Sequence, residues 1–179
     1  MTLDLVLEHG LAGVTVEDIA EAAGISRRTF FNYFPSKKAA VIPGPGPLSE
    51  EAVERFLADA ETPVLEGLQT LLTEHLLAWS ETRDVMPRTH QVLLANPELI
   101  PVMHERVAAF ESALVDVVAR RMGTSADDNG PQVATAVAGT LVRLTVTQGQ
   151  AGCLQAASPE FSTEDFDRLF ATLRGLCVA

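Results

Sequence analysis

The chain has 179 residues, of which 47% are hydrophobic and 6% aromatic, and its formal net charge is −11. This length allows one or two domains with a sizeable core, and the composition indicates a compact helical protein. A run of about 18 apolar residues and a signal-peptide pattern are both missing, so membrane insertion and secretion are not supported and a cytoplasmic protein is expected.

The N-terminal part of the chain predicts two short helices. The apolar side of the first is formed by Leu3, Leu5, Val6, Leu7 and Leu11. The second begins after Thr15, whose side chain can accept a backbone N–H bond as an N-cap, and Asp18 three positions on completes a capping-box-like start. Gly24 is expected to end this helix, because glycine adopts positive φ at little cost.

A third helix is predicted after an N-cap at Ser26, and its side chains divide between two faces. Phe30 and Phe34 lie four positions apart and are expected to point inward. The opposite face carries Arg27, Arg28, Phe31 and Asn32. Two helices joined by a glycine-containing turn form a helix-turn-helix, and this face suits a major groove, where arginine binds guanine edges and asparagine pairs with adenine.

Positive charge is concentrated in the same segment. Residues 26–38 include four basic residues and no acidic one, and Lys37 and Lys38 are the only lysines of the chain. The net charge is −1 over residues 1–40 and −10 over the remainder. An acidic protein that gathers its positive charge beside aromatic and amide side chains reserves that surface for a polyanion, and we expect this polyanion to be double-stranded DNA.

The run from Thr15 to Ser26, followed by residues 29–34 and Lys37, resembles the DNA-binding signature of TetR-type transcriptional repressors. The resemblance covers about residues 1–42, and it implies a three-helix domain that binds a palindromic operator as a dimer. The residues it implies in base contacts are Arg27, Arg28 and Asn32. Those it implies in phosphate contacts are Thr15, Thr29, Tyr33 and Lys37. For Thr15 a role as a pure cap is equally open, Tyr33 could be partly core, and Lys38 is expected to be a solvated neighbour.

Two features depart from the family pattern. Many members have Tyr where this chain has Phe31, so a phenol-to-phosphate hydrogen bond is lost and the remaining apolar contact favours thymine. The first helix is short, and the basic residues that such regulators often carry upstream are absent. Either the start is truncated, or the protein makes fewer minor-groove and phosphate contacts.

A domain boundary is predicted where proline and glycine alternate over residues 43–47, because this segment cannot continue a helix. The helix that starts near Ser36 should therefore be brief, and Ser49 should begin a new one. We expect an all-α protein with a helix-turn-helix DNA-binding domain over residues 1–42. A helical ligand-binding and dimerisation domain is expected over residues 49–179.

Helical periodicity continues through this second domain. Helices are predicted over residues 63–83, 87–95, 98–122, 132–157 and about 162–177, with a loop over 124–131. The helix over 132–157 is apolar nearly all round, and small residues such as Gly139 let another helix approach closely. Together with the last helix it resembles the dimerisation pair of the TetR family, so a homodimer is expected, with a monomeric core as the alternative.

Polar groups inside these apolar helices indicate a small-molecule site in a mostly apolar cavity. The predicted ligand-binding residues are His75, Trp79, Met103, Phe110, Arg143 and Thr147. Arg143 is the strongest candidate, because it interrupts a long apolar helix and needs an anionic partner. Arg106, in contrast, is expected to be solvated.

Residues 72–152 are similar to a TetR subfamily whose C-terminal domain is described as binding acyl-CoA-like ligands, so an acyl-CoA-like amphiphile is the first candidate effector. The charge of −10 argues against a free, highly anionic CoA, and a cationic or neutral amphiphile remains open. The resemblance thus indicates the class of effector without naming a molecule.

Catalysis, a cofactor and a metal are not expected. His104-Glu105 lacks the second His of HExxH, and GxSxG and the phosphate-binding glycine motifs are missing. His75, His90 and His104 lie on separate predicted elements, and the two cysteines lack the spacing of a metal site. The alternatives are a DNA-binding dimer without a small-molecule ligand and, less favoured, a helical enzyme.

Overall fold

The computed structural model describes residues 1–42, 44–80, 85–153 and 163–178. Every regular element in these ranges is helical, which confirms the all-α class. The described ranges contain ten α-helices and a single 3-10 turn, Pro97–Leu99, which lies between the seventh and eighth helices. In chain order these are α1 (Thr2–Gly13), α2 (Val16–Ala22), α3 (Arg27–Tyr33), α4 (Lys37–Val41), α5 (Glu50–Ala58), α6 (Val64–Ser80), α7 (Val85–Ala95), α8 (Ile100–Met122), α9 (Asn129–Cys153) and α10 (Thr163–Val178).

Side-chain caps start the short helices α2 to α5. Thr15, Ser26, Ser36 and Ser49 each accept a hydrogen bond from the backbone N–H three residues further on. Each bond satisfies one of the first-turn donors that a helix leaves without a partner, and a cap of this kind contributes about 1 kcal/mol to stability. The four predicted starting points are confirmed.

Two helices differ from the sequence prediction. The backbone of α1 leaves helical geometry at Gly10, where φ is 73° and ψ is 156°, a conformation that favours glycine. The helix α9 begins at Asn129, inside the loop predicted for residues 124–131. This early start is possible because Pro131 falls in the first turn, where its missing N–H would have no helical partner.

The chain forms two compact units, and the first consists of residues 1–45 and 84–108. Its fully buried side chains include Phe30 from α3, Val92 from α7 and Leu99 from the 3-10 turn. Residues 84–108 therefore pack with the N-terminal helices, whereas the sequence interpretation placed them in a domain over 49–179. Arg106 is not solvated as predicted: it is half-buried, and its Nη2 donates to the carbonyl oxygen of Ala39 at 2.5 Å.

The second unit consists of residues 46–83 and 109–179. Its core joins apolar side chains of α5, α6, α8, α9 and α10, and the largest fully buried members are Leu68, Leu72, Leu114, Phe166 and Phe170. The helices α9 and α10 pack against each other and against α6. Within the described part of the chain, no helix is both long enough and apolar enough to span a bilayer.

Candidate DNA-binding surface and ligand site

The start of α2 is held by a complete capping box. The backbone N–H and the hydroxyl of Thr15 both donate to Asp18 Oδ2 at 2.7 Å, and the Asp18 N–H donates to Thr15 Oγ1 at 3.1 Å. The hydrogen bonds from the Thr15 hydroxyl and backbone lower the pKa of the Asp18 carboxyl below its usual value. The predicted cap role of Thr15 is confirmed, and its hydroxyl hydrogen already has an acceptor.

The turn between α2 and α3 has the geometry that the sequence predicts. Gly24 has φ of 65°, and Ser26 Oγ accepts the Thr29 N–H at 3.0 Å. The Ser26 and Thr29 hydroxyls also lie 2.8 Å apart and share a hydrogen bond. Thr29 therefore contributes to the cap of α3, and its predicted phosphate contact would add to that role.

The two faces of α3 differ in burial. Phe30 is 0% exposed, and its ring lies 5.5 Å from that of Phe34, so the predicted inward pair is confirmed. Phe31 is 45% exposed and Tyr33 is 74% exposed. An exposed aromatic ring beside an arginine, as Phe31 lies beside Arg27, is typical of a binding face. Tyr33 lies at the surface and does not join the core.

The predicted base-contacting residues lie on this exposed face, but their surroundings differ. Arg28 and Asn32 are exposed. The Nη1 atom of Arg27 lies 2.8 Å from Glu17 Oε1, and its guanidinium carbon lies 5.6 Å from the centre of the Phe31 ring. The sequence predicts Glu17 to favour the positive end of α2 and does not predict its ion pair with Arg27. The signal that could have indicated the pair is an acidic residue in the first turn of α2 and a basic residue in the first turn of α3.

Lys37 occupies a position that the sequence did not predict. Its Nζ atom donates to the carbonyl oxygens of Leu11 and Val14, each at 2.7 Å. These carbonyls end α1, where helical acceptors have no partner within the helix. The ammonium group therefore ties the end of α1 to the first turn of α4, and it uses two of its three N–H bonds to do so. Lys38 is exposed.

Only two of the predicted ligand-binding side chains meet in the described structure. The rings of His75 on α6 and Phe110 on α8 stack with centres 4.9 Å apart and an interplanar angle of 24°. Among the described residues, His75 Nε2, Arg121 Nε and the hydroxyls of Thr73 and Thr135 are buried without a hydrogen-bond partner. A buried polar atom without a partner is costly unless another group satisfies it.

Two other predicted ligand-binding residues, Met103 and Arg143, lie in different surroundings. Met103 packs against the core of the first unit. Arg143 is exposed on α9, and its Nη2 lies 3.4 Å from Thr140 Oγ1, so its side chain lies at the surface and not in an apolar interior. The side chains of Trp79 and Thr147 lie outside the described residues.

The burial of His75 gives the stability of the protein a pH dependence. Desolvation lowers the pKa of this imidazole below its usual 6.5. The unfolded chain then binds a proton more readily than the folded one, so the free energy of unfolding should fall as pH decreases below about 6.5. Urea unfolding at pH 7.5 and 5.5 measures this loss.

Two variants separate His75 from the other histidines. His75→Phe keeps an aromatic ring beside Phe110 and cannot be protonated, so the acid-induced loss of stability should be smaller than in the unmodified protein. His104→Gln, at an exposed position of α8, should leave that loss unchanged. Equal pH dependence in the His75→Phe variant and the unmodified protein would show that the buried imidazole is not the source.

Two family models match the chain. Residues 2–41 match the model described as "Bacterial regulatory proteins, tetR family", and residues 62–174 match the model described as "MftR C-terminal domain". The first match contains α1 to α4 and the turn between α2 and α3. The second match begins near the start of α6 and ends within α10.

Individual relatives are also transcriptional regulators by name. The chain is 34% identical over 136 residues to MftR of Mycobacterium tuberculosis, named as a mycofactocin biosynthesis transcriptional regulator; this alignment covers 74% of the chain and 67% of MftR. It is 31% identical over 138 residues to the regulator TcmR of Streptomyces glaucescens, covering 71% of the chain and 59% of TcmR. It is 38% identical over 65 residues to the regulator EthR of Mycolicibacterium smegmatis, covering 32% and 30%.

The chain thus spans about two thirds of the length of MftR and smaller shares of TcmR and EthR. Relatives and family models agree on the class of protein, which is a transcriptional regulator and not an enzyme. The capped helix-turn-helix, its exposed basic face and these matches together place the chain in the TetR family of bacterial regulatory proteins, with a helix-turn-helix DNA-binding domain at its N-terminus and an MftR-type domain after it.

Proposed function

We propose that two copies of this chain bind a palindromic operator through α3, repress transcription there, and are released by a small amphiphilic ligand. The main support for the DNA-binding part of this proposal is the exposed face of α3. It combines Arg27, Arg28, Phe31 and Asn32 on a helix whose inner face is anchored by the fully buried Phe30. A rigid helix with such a face can enter a major groove.

Arg28 is the residue of this face on which we base the test. It is exposed, and bidentate hydrogen bonds from its guanidinium to a guanine edge would discriminate against other bases. Arg28→Ala should therefore weaken operator binding by roughly 1–3 kcal/mol and relax base preference at one operator position. Fluorescence anisotropy with duplexes substituted at each position measures both effects.

The control for this test is Arg120→Ala, which removes one exposed positive charge near the end of α8. That variant should leave base preference intact. If the Arg28 variant keeps full affinity and full base preference, α3 does not read the operator in the proposed way. Operator duplexes for both measurements can be recovered by selection from random sequences.

A dimer is supported by the outward face of α9 and α10. Along α9 the exposed residues Val133, Ala136, Thr140 and Leu144 recur at helical spacing. On α10, Leu176 is 74% exposed. A surface of apolar and small side chains on two helices that pack together suits burial against a second copy. We expect two copies of the chain to bind each palindromic duplex, and sedimentation analysis measures this stoichiometry.

Gly139 lies beside a side chain of the same chain. A Cβ atom at this position would lie 3.3 Å from Glu111 Oε1, so the missing side chain leaves room for the Glu111 carboxylate on α8. The residues proposed to meet a second copy are therefore those of the exposed stripe.

The ligand part of the proposal rests on the His75–Phe110 stack. A flat imidazole against an aromatic ring, with Nε2 lacking a partner among the described residues, offers one hydrogen bond beside an apolar ring. An amphiphile could form a hydrogen bond with the imidazole nitrogen and place its apolar chain against the aromatic ring. An acyl-CoA-like molecule is the first candidate. The alternative is a DNA-binding dimer that responds to no small molecule.

Reciprocal titrations test ligand control. If an amphiphile releases the protein from DNA, operator DNA must weaken amphiphile binding by the same factor, typically about 5–150-fold. A medium-chain acyl-CoA and a neutral amphiphile of equal chain length are the probes, and fluorescence of the single tryptophan, Trp79, reports occupancy. Probes that raise the melting temperature but leave operator affinity unchanged would favour the alternative without ligand control.

A further inference from the structure

The ion pair between Glu17 and Arg27 lies on the face of the protein that we propose meets DNA. Glu17 belongs to the first turn of α2, and Arg27 is the first residue of α3. Their side chains are 58% and 67% exposed, and the two atoms that pair are 2.8 Å apart. The guanidinium carbon of Arg27 also lies over the ring of Phe31, one turn further along α3, at 5.6 Å from the ring centre.

We propose that Glu17 is a specificity-determining residue, which holds the Arg27 guanidinium for contact with a base and keeps it from phosphates. This inference rests on the proposed function, because it assumes that α3 contacts the operator. It adds a role for an acidic residue at a surface that otherwise attracts DNA through its positive charge.

The geometry leaves Arg27 able to read a base. A guanidinium carries five N–H donors in a rigid plane, and the bond to Glu17 uses Nη1. The donors on Nη2 and Nε are left for a guanine edge. Because the ion pair with Glu17 and the ring of Phe31 both restrict the Arg27 side chain, less side-chain entropy is lost when the base contact forms. Arg27 can thus bind a guanine in a preset orientation.

The charge of Glu17 acts in the opposite direction on phosphates. Nonspecific DNA binding depends on the number of phosphates that positive side chains neutralise, and it carries no sequence information. A carboxylate beside Arg27 cancels its charge locally and repels nearby phosphates. Binding to unrelated sequences is weakened, whereas the directional base contact is kept. The ratio of specific to nonspecific affinity therefore increases.

The pair has little part in holding the fold together. Ion pairs between exposed side chains contribute little to stability, since water screens them and both side chains lose freedom. The cap of α2 uses Thr15 and Asp18 and does not need Glu17. Replacement of the Glu17 carboxylate by an amide should leave the helix-turn-helix folded, so a change in DNA binding would report on recognition.

The test compares Glu17→Gln with Glu21→Gln, which changes the same charge at another exposed position of α2. For each variant, affinity for the selected operator and for a scrambled duplex is measured at several salt concentrations. Glu17→Gln should bind the scrambled duplex about threefold more tightly, with a salt slope steeper by about one, and should show a lower specificity ratio. Glu21→Gln should change both affinities alike and keep the ratio.

A third variant separates failure of this inference from failure of the proposed function. Arg27→Ala should weaken operator binding, and adding Glu17→Gln to it should no longer change the specificity ratio. If Arg27→Ala lowers operator affinity but Glu17→Gln keeps the full ratio, the role of Glu17 is overturned and the DNA-binding proposal stands. If neither Arg27→Ala nor Arg28→Ala affects operator binding, the proposed DNA-binding face is itself wrong.

Discussion

Leu99→Ala is expected to lower the free energy of unfolding by about 2–5 kcal/mol and to weaken DNA binding, although this residue is distant in sequence from the helix-turn-helix. Leu99 is 0% exposed and belongs to the core that contains Phe30, the inner anchor of α3. Truncating it removes apolar contacts and leaves a cavity that close-packed neighbours fill only in part. Urea unfolding, followed by operator titration, measures both losses.

Leu94→Ala is the matched control, because Leu94 is 69% exposed on the adjoining helix α7. It should change stability by no more than about 0.5 kcal/mol. Hydrogen exchange locates the effect: Leu99→Ala should increase exchange in α1 to α3. An increase confined to residues 46–83 and 109–179 would contradict the place of Leu99 in the first unit.

Lys37→Met is expected to lower the free energy of unfolding by about 1.5–3 kcal/mol. The methionine retains much of the apolar stem but donates no hydrogen bond, so the carbonyl oxygens of Leu11 and Val14 lose the ammonium that joins them at 2.7 Å. A hydrogen bond to a charged donor is worth more than a neutral one. The end of α1 would then be held to α4 by packing alone.

Lys38→Met removes the same charge at an exposed neighbouring position and should change stability by no more than about 0.5 kcal/mol. Urea unfolding of both variants decides between the roles of Lys37. If Lys37→Met keeps full stability and the salt slope of DNA binding falls by about one, Lys37 acts as the phosphate contact that the family resemblance implies and not as a link between α1 and α4.

Features that depend on neighbours in sequence were predicted correctly. The capping box at Thr15, the positive φ of Gly24 and the buried Phe30 opposite the exposed Phe31 follow from spacings of three or four residues. Such contacts form within one turn of helix, so the local sequence contains the information needed. The family of the protein was predicted for the same reason, because its DNA-binding signature is a continuous segment.

The packing of the predicted ligand-binding residues was predicted less well, and the ligand site itself stays a prediction. Hydrophobic periodicity identifies polar residues within apolar helices, but it does not say which helix faces which neighbour. His75 and Phe110 meet, whereas Arg143 is exposed and Met103 packs in the core of the other unit. The side chains of Trp79 and Thr147 lie outside the described residues, so their assignment to the ligand site stays a prediction.

The sequence by itself determined the all-α class, the caps that start α2 to α5 and the division of α3 into a buried and an exposed face. Tertiary structure alone decided which partners the charged groups around α3 bind. Lys37 bonds to carbonyls 23 and 26 residues away, Glu17 pairs with Arg27 across the turn, and Leu99 completes the core beneath α3. These contacts depend on the relative placement of whole helices, which is set by the packing of many side chains and which a local pattern does not encode.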